Sequence, residues 1–251
     1  MTTSCQTSAE SKLAKRGEVF MSKDKRNAAG EGVGQPGWNP GSSLPRGGVG
    51  RMTSYSKVST TMPVVAMTFD DGPHPTNTPR LLDMLKQRNI KATFFVVGSN
   101  ARRYPSIMRR IVAEGHEIGN HTVSHGKMTS MSQSQIRSDL NNANQIIRTA
   151  CGVTPRTVRP PYGAITSVQK TWIKAEFGFP SILWSVDPED WKKPGSSVVA
   201  SRLINGAKPG GILLAHDIHA PTIDAMPRAL DGIKAKGYQF VTVTQLIGLE
   251  G

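Results

Sequence analysis

Residues 121–125 read His-Thr-Val-Ser-His and follow Glu-Gly-His-Glu-Ile-Gly-Asn. Two imidazoles four residues apart can reach one ion from a single turn of chain. The same spacing also suits a polar turn with two solvated rings. A second candidate stands upstream, at Asp70-Asp71-Gly72-Pro73, directly after the apolar run of residues 64–69. Successive strand residues point to opposite faces, so two adjacent acids can divide two tasks, one carboxylate on a metal and one on a water. Asp and Gly also make plain turns, but an apolar strand running straight into two like charges favours chemistry. Asp71 with His121 and His125 makes one carboxylate and two imidazoles. That donor set suits Zn²⁺ or another borderline divalent ion, with positions left open for water and substrate.

Three more polar clusters follow: Arg159-Pro-Pro-Tyr162-Gly, Asp187-Pro-Glu-Asp-Trp191 and Ala215-His216-Asp-Ile-His219. In Gly-Ile-Leu-Leu-Ala-His, residues Ile212, Leu214 and His216 share one strand face by period two. Leu214 can therefore wall a pocket whose rim carries His216, whereas His219 is out of phase with that face. Arg159 fits an ordinary surface cation, but its place after a buried strand and before Pro-Pro-Tyr-Gly favours a guanidinium pointing into the same mouth, where it would keep Asp70 ionised. Trp191 fits either a pocket wall or the core, and His74 and His116 read as structural or exposed. No serine stands in a nucleophile-elbow pattern.

These clusters need elements to carry them. Apolar runs at 64–69, 92–98, 116–121, 157–161, 181–187, 211–217 and 239–243 read as buried strands. Helical spacing appears at 78–89, 105–115, 132–152, 165–176, 196–206 and 222–236. Such alternation predicts parallel strands joined by right-handed crossovers. An open sheet gathers ligand groups only at its switch point, whereas a barrel gathers the ends of all its strands at one mouth. Five polar clusters after five different strands therefore predict a single α/β domain built as a distorted (β/α) barrel with seven parallel strands, over residues 61–251.

Residues 1–60 are rich in Gly, Ser and Pro and poor in aliphatic side chains. Such a stretch buries too little apolar surface to offset its ordering entropy, and it reads as a disordered basic arm or linker. The 251-residue chain carries a formal net charge of +13. Residues 1–60 hold 9 Lys/Arg against 4 Asp/Glu and the remainder 22 against 14, so both parts are basic. That balance suits an anionic partner such as a cell wall, while no nucleic-acid-binding pattern accompanies it and no nucleic-acid partner is expected. Two cysteines, Cys5 and Cys151, make no disulfide framework. No apolar run is long enough to span a membrane, and no secretory signal is visible at the N-terminus.

The five clusters, TFDDGP, HTVSH, RPPYG, DPEDW and ILLAH, stand in an order and at distances that resemble the NodB-homology polysaccharide deacetylases, carbohydrate esterase family 4. The resemblance covers about residues 62–247, with ATFFVVG and GHEIGNHT similar to the intervening segments. It implies a metal-dependent hydrolase that removes acetyl from N-acetylglucosamine units of peptidoglycan, chitin or a chitooligosaccharide. The alternatives are an acetylxylan esterase and a non-catalytic glycan-binding module of the same fold. Residue by residue, it implies Asp70 as general base, Asp71, His121 and His125 as ligands of a divalent metal (Zn²⁺, with Co²⁺ or another transition metal able to replace it), and His216 as general acid. Arg159 would position Asp70, Asp187 would orient His216, the Tyr162 N–H would bind the oxyanion, and Trp191 and Leu214 would flank the acetyl pocket. It also implies a cell-envelope or secreted location.

Overall fold

The structure is a computed structural model that describes residues 50–250. Seven strands are present among them: β1 Ser54–Tyr55, β2 Val64–Asp70, β3 Thr93–Val96, β4 Glu117–Asn120, β5 Ser181–Ile182, β6 Gly211–His216 and β7 Gln239–Val241. Eight α-helices lie between and after them: α1 Asn77–Gln87, α2 Gly98–Arg103, α3 Pro105–Ala113, α4 Gln133–Cys151, α5 Ser167–Phe177, α6 Ser196–Gly206, α7 Ala220–Ala235 and α8 Val243–Ile247. Two of the longer helices carry strong local start signals. Ser132 and Gln135 cap α4 reciprocally, as do Thr166 and Gln169 at α5. Left-handed Gly152 and Gly178 end the same two helices.

All the strand ladders are parallel. β2 is central: β6 pairs along one edge, while β3 and β7 share the other, β3 at residues 68–70 and β7 at residues 64–66. β4 pairs with β3, and single bridges continue from Asn120 to Val158, from Val158 to Ser181 of β5, and from Val186 back to Leu213 of β6. The pairs trace a circuit compatible with the expected distorted barrel. Its members differ from the sequence reading: the strand expected at 181–187 is regular only at Ser181–Ile182. The strand expected at 157–161 shrinks to Val158, because Pro160 and Pro161 remove two ladder donors. β1 was not expected at all.

β1 lies inside the stretch assigned to the arm. Tyr55 and Val58 are 2% and 1% exposed, and the Tyr55 hydroxyl donates to Glu250 at 2.6 Å. These contacts, with the β1–β5 ladder and the Val58 N–H on the Gly210 carbonyl, tie residues 54–58 to the domain, so the boundary lies earlier than residue 61. Residues 1–49 of the expected arm lie outside the described residues.

The period of two sorts each strand between two cores. On β2, Val65, Met67 and Phe69 pack outward with Leu81, Leu82 and Leu85 of α1 and Met226, Ala229 and Leu230 of α7. Val64 and Ala66 pack inward with Phe95, Ile182, Ile212 and Val241. Thr68 and Asp70 continue the inward row, so an apolar floor rises into a polar mouth.

The floor has one tight point beneath the mouth. A Cβ on Gly119 would overlap the Phe95 ring, and the Arg159 guanidinium stacks on Phe95 at 4.1 Å from the centroid. Phe95 therefore cannot retreat without moving Arg159. Gly119→Ala should cost about 1–3 kcal/mol by overpacking, measured by denaturant unfolding, and should lower turnover more than a surface change of equal stability cost.

Candidate active site and metal centre

Asp70 closes β2, and the chain then leaves the strand through Asp71 at φ +74°. That left-handed conformation is unusual for a residue with a Cβ. It turns Asp71 out of the strand's alternation and aims its carboxylate across the mouth. Asn100 of α2 holds the turn by donating to the Asp71 carbonyl at 2.8 Å. Gly72 is required because the Asp217 carboxylate occupies the space its Cβ would fill. Asp217 is fully buried, accepts from the Thr78 hydroxyl and has its pKa pushed up to about 7 by burial.

The His-Thr-Val-Ser-His segment is a loop with Thr122 at φ +64° and His125 at φ +61°. Two helices hold it. The Gly98 and Ser99 amides of α2 donate to the Thr122 and Val123 carbonyls at 2.8 and 2.9 Å. Asp139 of α4 accepts from the Val123 N–H at 2.9 Å. The imidazoles of His121 and His125 then meet edge to face at 5.0 Å between centroids.

The hydrogen bond between His121 Nδ1 and the Arg159 carbonyl, at 2.7 Å, decides the tautomer. A carbonyl oxygen only accepts, so Nδ1 carries the proton and Nε2 presents its lone pair. That lone pair faces Asp71 Oδ1 at 3.4 Å, and His125 Nε2 lies 3.2 Å from the same oxygen. Asp71 Oδ1 is buried and has no hydrogen-bond partner. Burial depresses the His125 pKa, with the nearby carboxylates opposing it. Acceptors turned on one another without a proton between them call for a cation. Tetrahedral bonds of about 2.1 Å imply ligand–ligand separations of about 3.4 Å, close to both distances. Asp71, His121 and His125 therefore fit a divalent metal.

Arg159 is fully buried and reaches Asp70 Oδ1 and Thr68 Oγ1, both at 2.7 Å from Nη1. Its other donors meet the Ile182 and Leu183 carbonyls at 3.1 Å. Burial pulls the guanidinium's pKa down while the Asp70 carboxylate pulls it up. Asp70 Oδ2 has no such partner and faces the cavity, 3.8 Å from His121 Nε2.

His216 stands opposite Asp70 in the β2–β6 register. Its carboxylate partner is Asp190, where the sequence reading expected Asp187. His216 Nδ1 lies 2.7 Å from Asp190 Oδ1, the His216 N–H donates to Asp190 Oδ2 at 2.8 Å, and the Thr222 hydroxyl donates to Oδ2 at 2.9 Å. Burial opposes charge on His216, but Asp190, with Asp70 and Asp71 beyond it, raises its pKa to about 9. Asp187 instead accepts from the Glu189 N–H at 2.7 Å and sits on the cavity rim. The physical reason is the turn at Glu189, φ +53°, which swings Asp190 back beneath β6. Only the exclusion of three acids from one face of a short segment hints at this in sequence.

These groups line one cavity of about 390 Å³. Leu214 is buried in its wall, Trp191 is 52% exposed at its edge, and Trp184, which the sequence reading missed, forms another wall. His219 also lines it, with its ring 6.1 Å from that of His216. Tyr162 sits at φ +63° with its ring against His125 at 4.6 Å, and its backbone N–H finds no acceptor among the described residues.

A family model described as "Polysaccharide deacetylase" matches residues 57–181. A chitooligosaccharide deacetylase of Bradyrhizobium sp. is 36% identical over 209 residues, covering 77% of this chain and 94% of its own length. The chain belongs to the polysaccharide deacetylase family. Membership also covers a peptidoglycan-N-acetylglucosamine deacetylase of Listeria monocytogenes, 40% identical over 184 residues, 73% of this chain. This chain spans 39% of that relative's length. Among solved structures, the Bc1960 peptidoglycan N-acetylglucosamine deacetylase superposes with a TM-score of 0.74 at 35% identity, covering 77% of this chain and 92% of the other. The parallel α/β fold and a divalent-metal centre at Asp71, His121 and His125 are consistent with the family.

The geometry separates the two adjacent acids. Asp71→Asn should lose bound metal, with excess metal restoring part of the activity. Asp70→Asn should keep the metal while the rate falls roughly 10²–10⁴-fold. Metal stoichiometry measured beside acetate release distinguishes them, and the opposite pattern would reverse the assignment.

Proposed function

We propose that this protein hydrolyses the acetamide of N-acetylglucosamine units in a glycan, releasing acetate and leaving a free amine. One observation carries the reading. Asp70 and His216 stand in register on neighbouring strands, on either side of a cavity whose rim holds Asp71, His121 and His125. The chemistry a divalent metal supplies when bound there is Lewis acidity toward the acetyl carbonyl. Zn²⁺ is the ion proposed, because two imidazoles and one carboxylate suit its borderline character, and Co²⁺ should replace it.

The chain's own residues perform the rest. Asp70, its Oδ1 held by Arg159, takes a proton from the attacking water through Oδ2. The free Tyr162 N–H donates to the oxyanion, a contact typically worth about 3–4 kcal/mol. His216 is protonated at neutral pH and, with Nδ1 engaged by Asp190, offers its Nε2 proton to the leaving nitrogen. The C–N bond breaks as that proton arrives, since an amide anion is too basic to leave. Leu214, Trp184 and Trp191 form an apolar wall that fits the acetyl methyl. Relatives named for peptidoglycan and for chitooligosaccharides support a β-linked N-acetylglucosamine polymer as substrate. The +13 charge favours an anionic wall as the surface on which it works, at the cell envelope.

Acetate release should be measured on chitooligosaccharides, peptidoglycan fragments and acetylated xylan, before and after metal stripping. Release from N-acetylglucosamine substrates that stops with the metal and returns with Zn²⁺ is expected. Release from xylan alone would make the protein an ester hydrolase, and no release from any substrate would leave only glycan binding.

The pH profile tests the acid. His216 must be protonated to act, so the alkaline limb of the profile follows its pKa. Asp190→Asn removes the charge that raises that pKa. The alkaline limb should then move to lower pH, whereas Asp187→Asn should leave it in place.

A further inference from the structure

We infer that the cleft between α3 and α4 is a second binding site, for a ligand of saccharide size that carries a phosphate or carboxylate oxyanion. The cleft measures about 750 Å³, larger than the catalytic cavity and within the usual range for small-molecule sites. Two guanidinium groups, Arg102 and Arg109, border it, and no Asp or Glu lines it. Arg109 reaches only the Ala150 carbonyl, at 3.3 Å, and Arg102 makes no hydrogen bond or ion pair among the described residues. Arg110, on the same helix as Arg109, instead holds Asp83 and Glu114. Two planar donor forks without a counter-charge at one cleft suit bidentate capture of an oxyanion.

The opposite wall adds polarity of the right kind. Asn142, Gln145 and Thr149 project from one face of α4 at helical spacing, offering amide and hydroxyl groups for a sugar or polyol. Ile146 and Val123 supply the apolar floor on which a ring can lie. Val123 stands between His121 and His125, so the cleft backs onto the loop that carries two of the metal ligands, yet it includes none of them. The inference does not depend on the deacetylase reading.

Titration calorimetry of the full chain with glycerol 3-phosphate and with N-acetylmuramyl dipeptide tests it, one probe carrying phosphate and the other carboxylate. Saturable binding of at least one probe is expected, and the probe that binds identifies the oxyanion. Arg102→Ala/Arg109→Ala should weaken it at least about tenfold, the loss of one good charged pairing. The thermal unfolding midpoint should be unchanged in that variant, which controls for folding, because both side chains are exposed. Three results would overturn the site: no saturable binding of either probe, equal binding in the double variant, or displacement of the probe by neutral chitobiose, which would locate it in the catalytic cavity.

Discussion

The mouth of this fold depends on a guanidinium that has no access to water. Arg159 contacts Asp70, Thr68 and two carbonyls through its side chain, and Phe95 lies under its plane. Its backbone carbonyl fixes the His121 tautomer, and its N–H pairs with the Asn120 carbonyl. One residue thus orients the proposed base through its side chain and a metal ligand through its main chain. A lysine could not do this, since a single ammonium cannot span carboxylate, hydroxyl and carbonyls in one plane. Removing one partner of such a buried pair typically costs about 3–5 kcal/mol, because the other charge is left without water or counter-ion. Stability and orientation of the site are therefore one property here.

Two kinds of backbone divide the remaining work. Strands supply the groups that must face each other at fixed height, as Asp70 and His216 do across the β2–β6 ladder. Groups that must converge from the side come from left-handed turns at Asp71, His125 and Tyr162, with Thr122 left-handed between the two imidazoles. Each non-glycine residue in that region costs on the order of 1–3 kcal/mol. The short helix α2 offsets this strain by gripping both ligand loops, through Asn100 on one side and the Gly98 and Ser99 amides on the other.

Legibility in the sequence followed the same division. Period two identified the inward row of β6 and distinguished His216 from His219, because a strand has only two faces. Continuous apolar runs located β2, β3 and β4, and the end of the first located the acids of TFDDGP. Both signals failed where the chain leaves regular structure. Asp187 and Asp190 are separated by a turn whose path depends on Glu189 adopting positive φ, which no periodicity encodes. Trp184 lies in the irregular stretch after β5, where alternation lapses. β1 escaped notice because composition averages over sixty residues, whereas Tyr55 alone reaches both Met52 and Glu250.

The charges explain why these loops suit a cation and why His216 is the proposed acid. Three buried or mostly buried carboxylates, Asp70, Asp71 and Asp190, face two cationic groups, Arg159 and His216. Asp187 stands at the rim, where water screens it. The protein alone thus leaves about one net negative charge in a poorly solvated cavity, with Asp71 Oδ1 unpartnered. A divalent cation would change that balance to about one positive charge. As Asp70 takes the water's proton, the negative charge passes from Asp70 to the substrate's carbonyl oxygen beside the cation, so the cavity keeps about one positive charge while the oxyanion forms, the arrangement that favours the transition state over the neutral amide. Had His216 been neutral, the same cation would have left no surplus to meet that charge. Asp190 thus does more than orient an imidazole: by keeping His216 protonated it also sets the net charge against which the oxyanion forms.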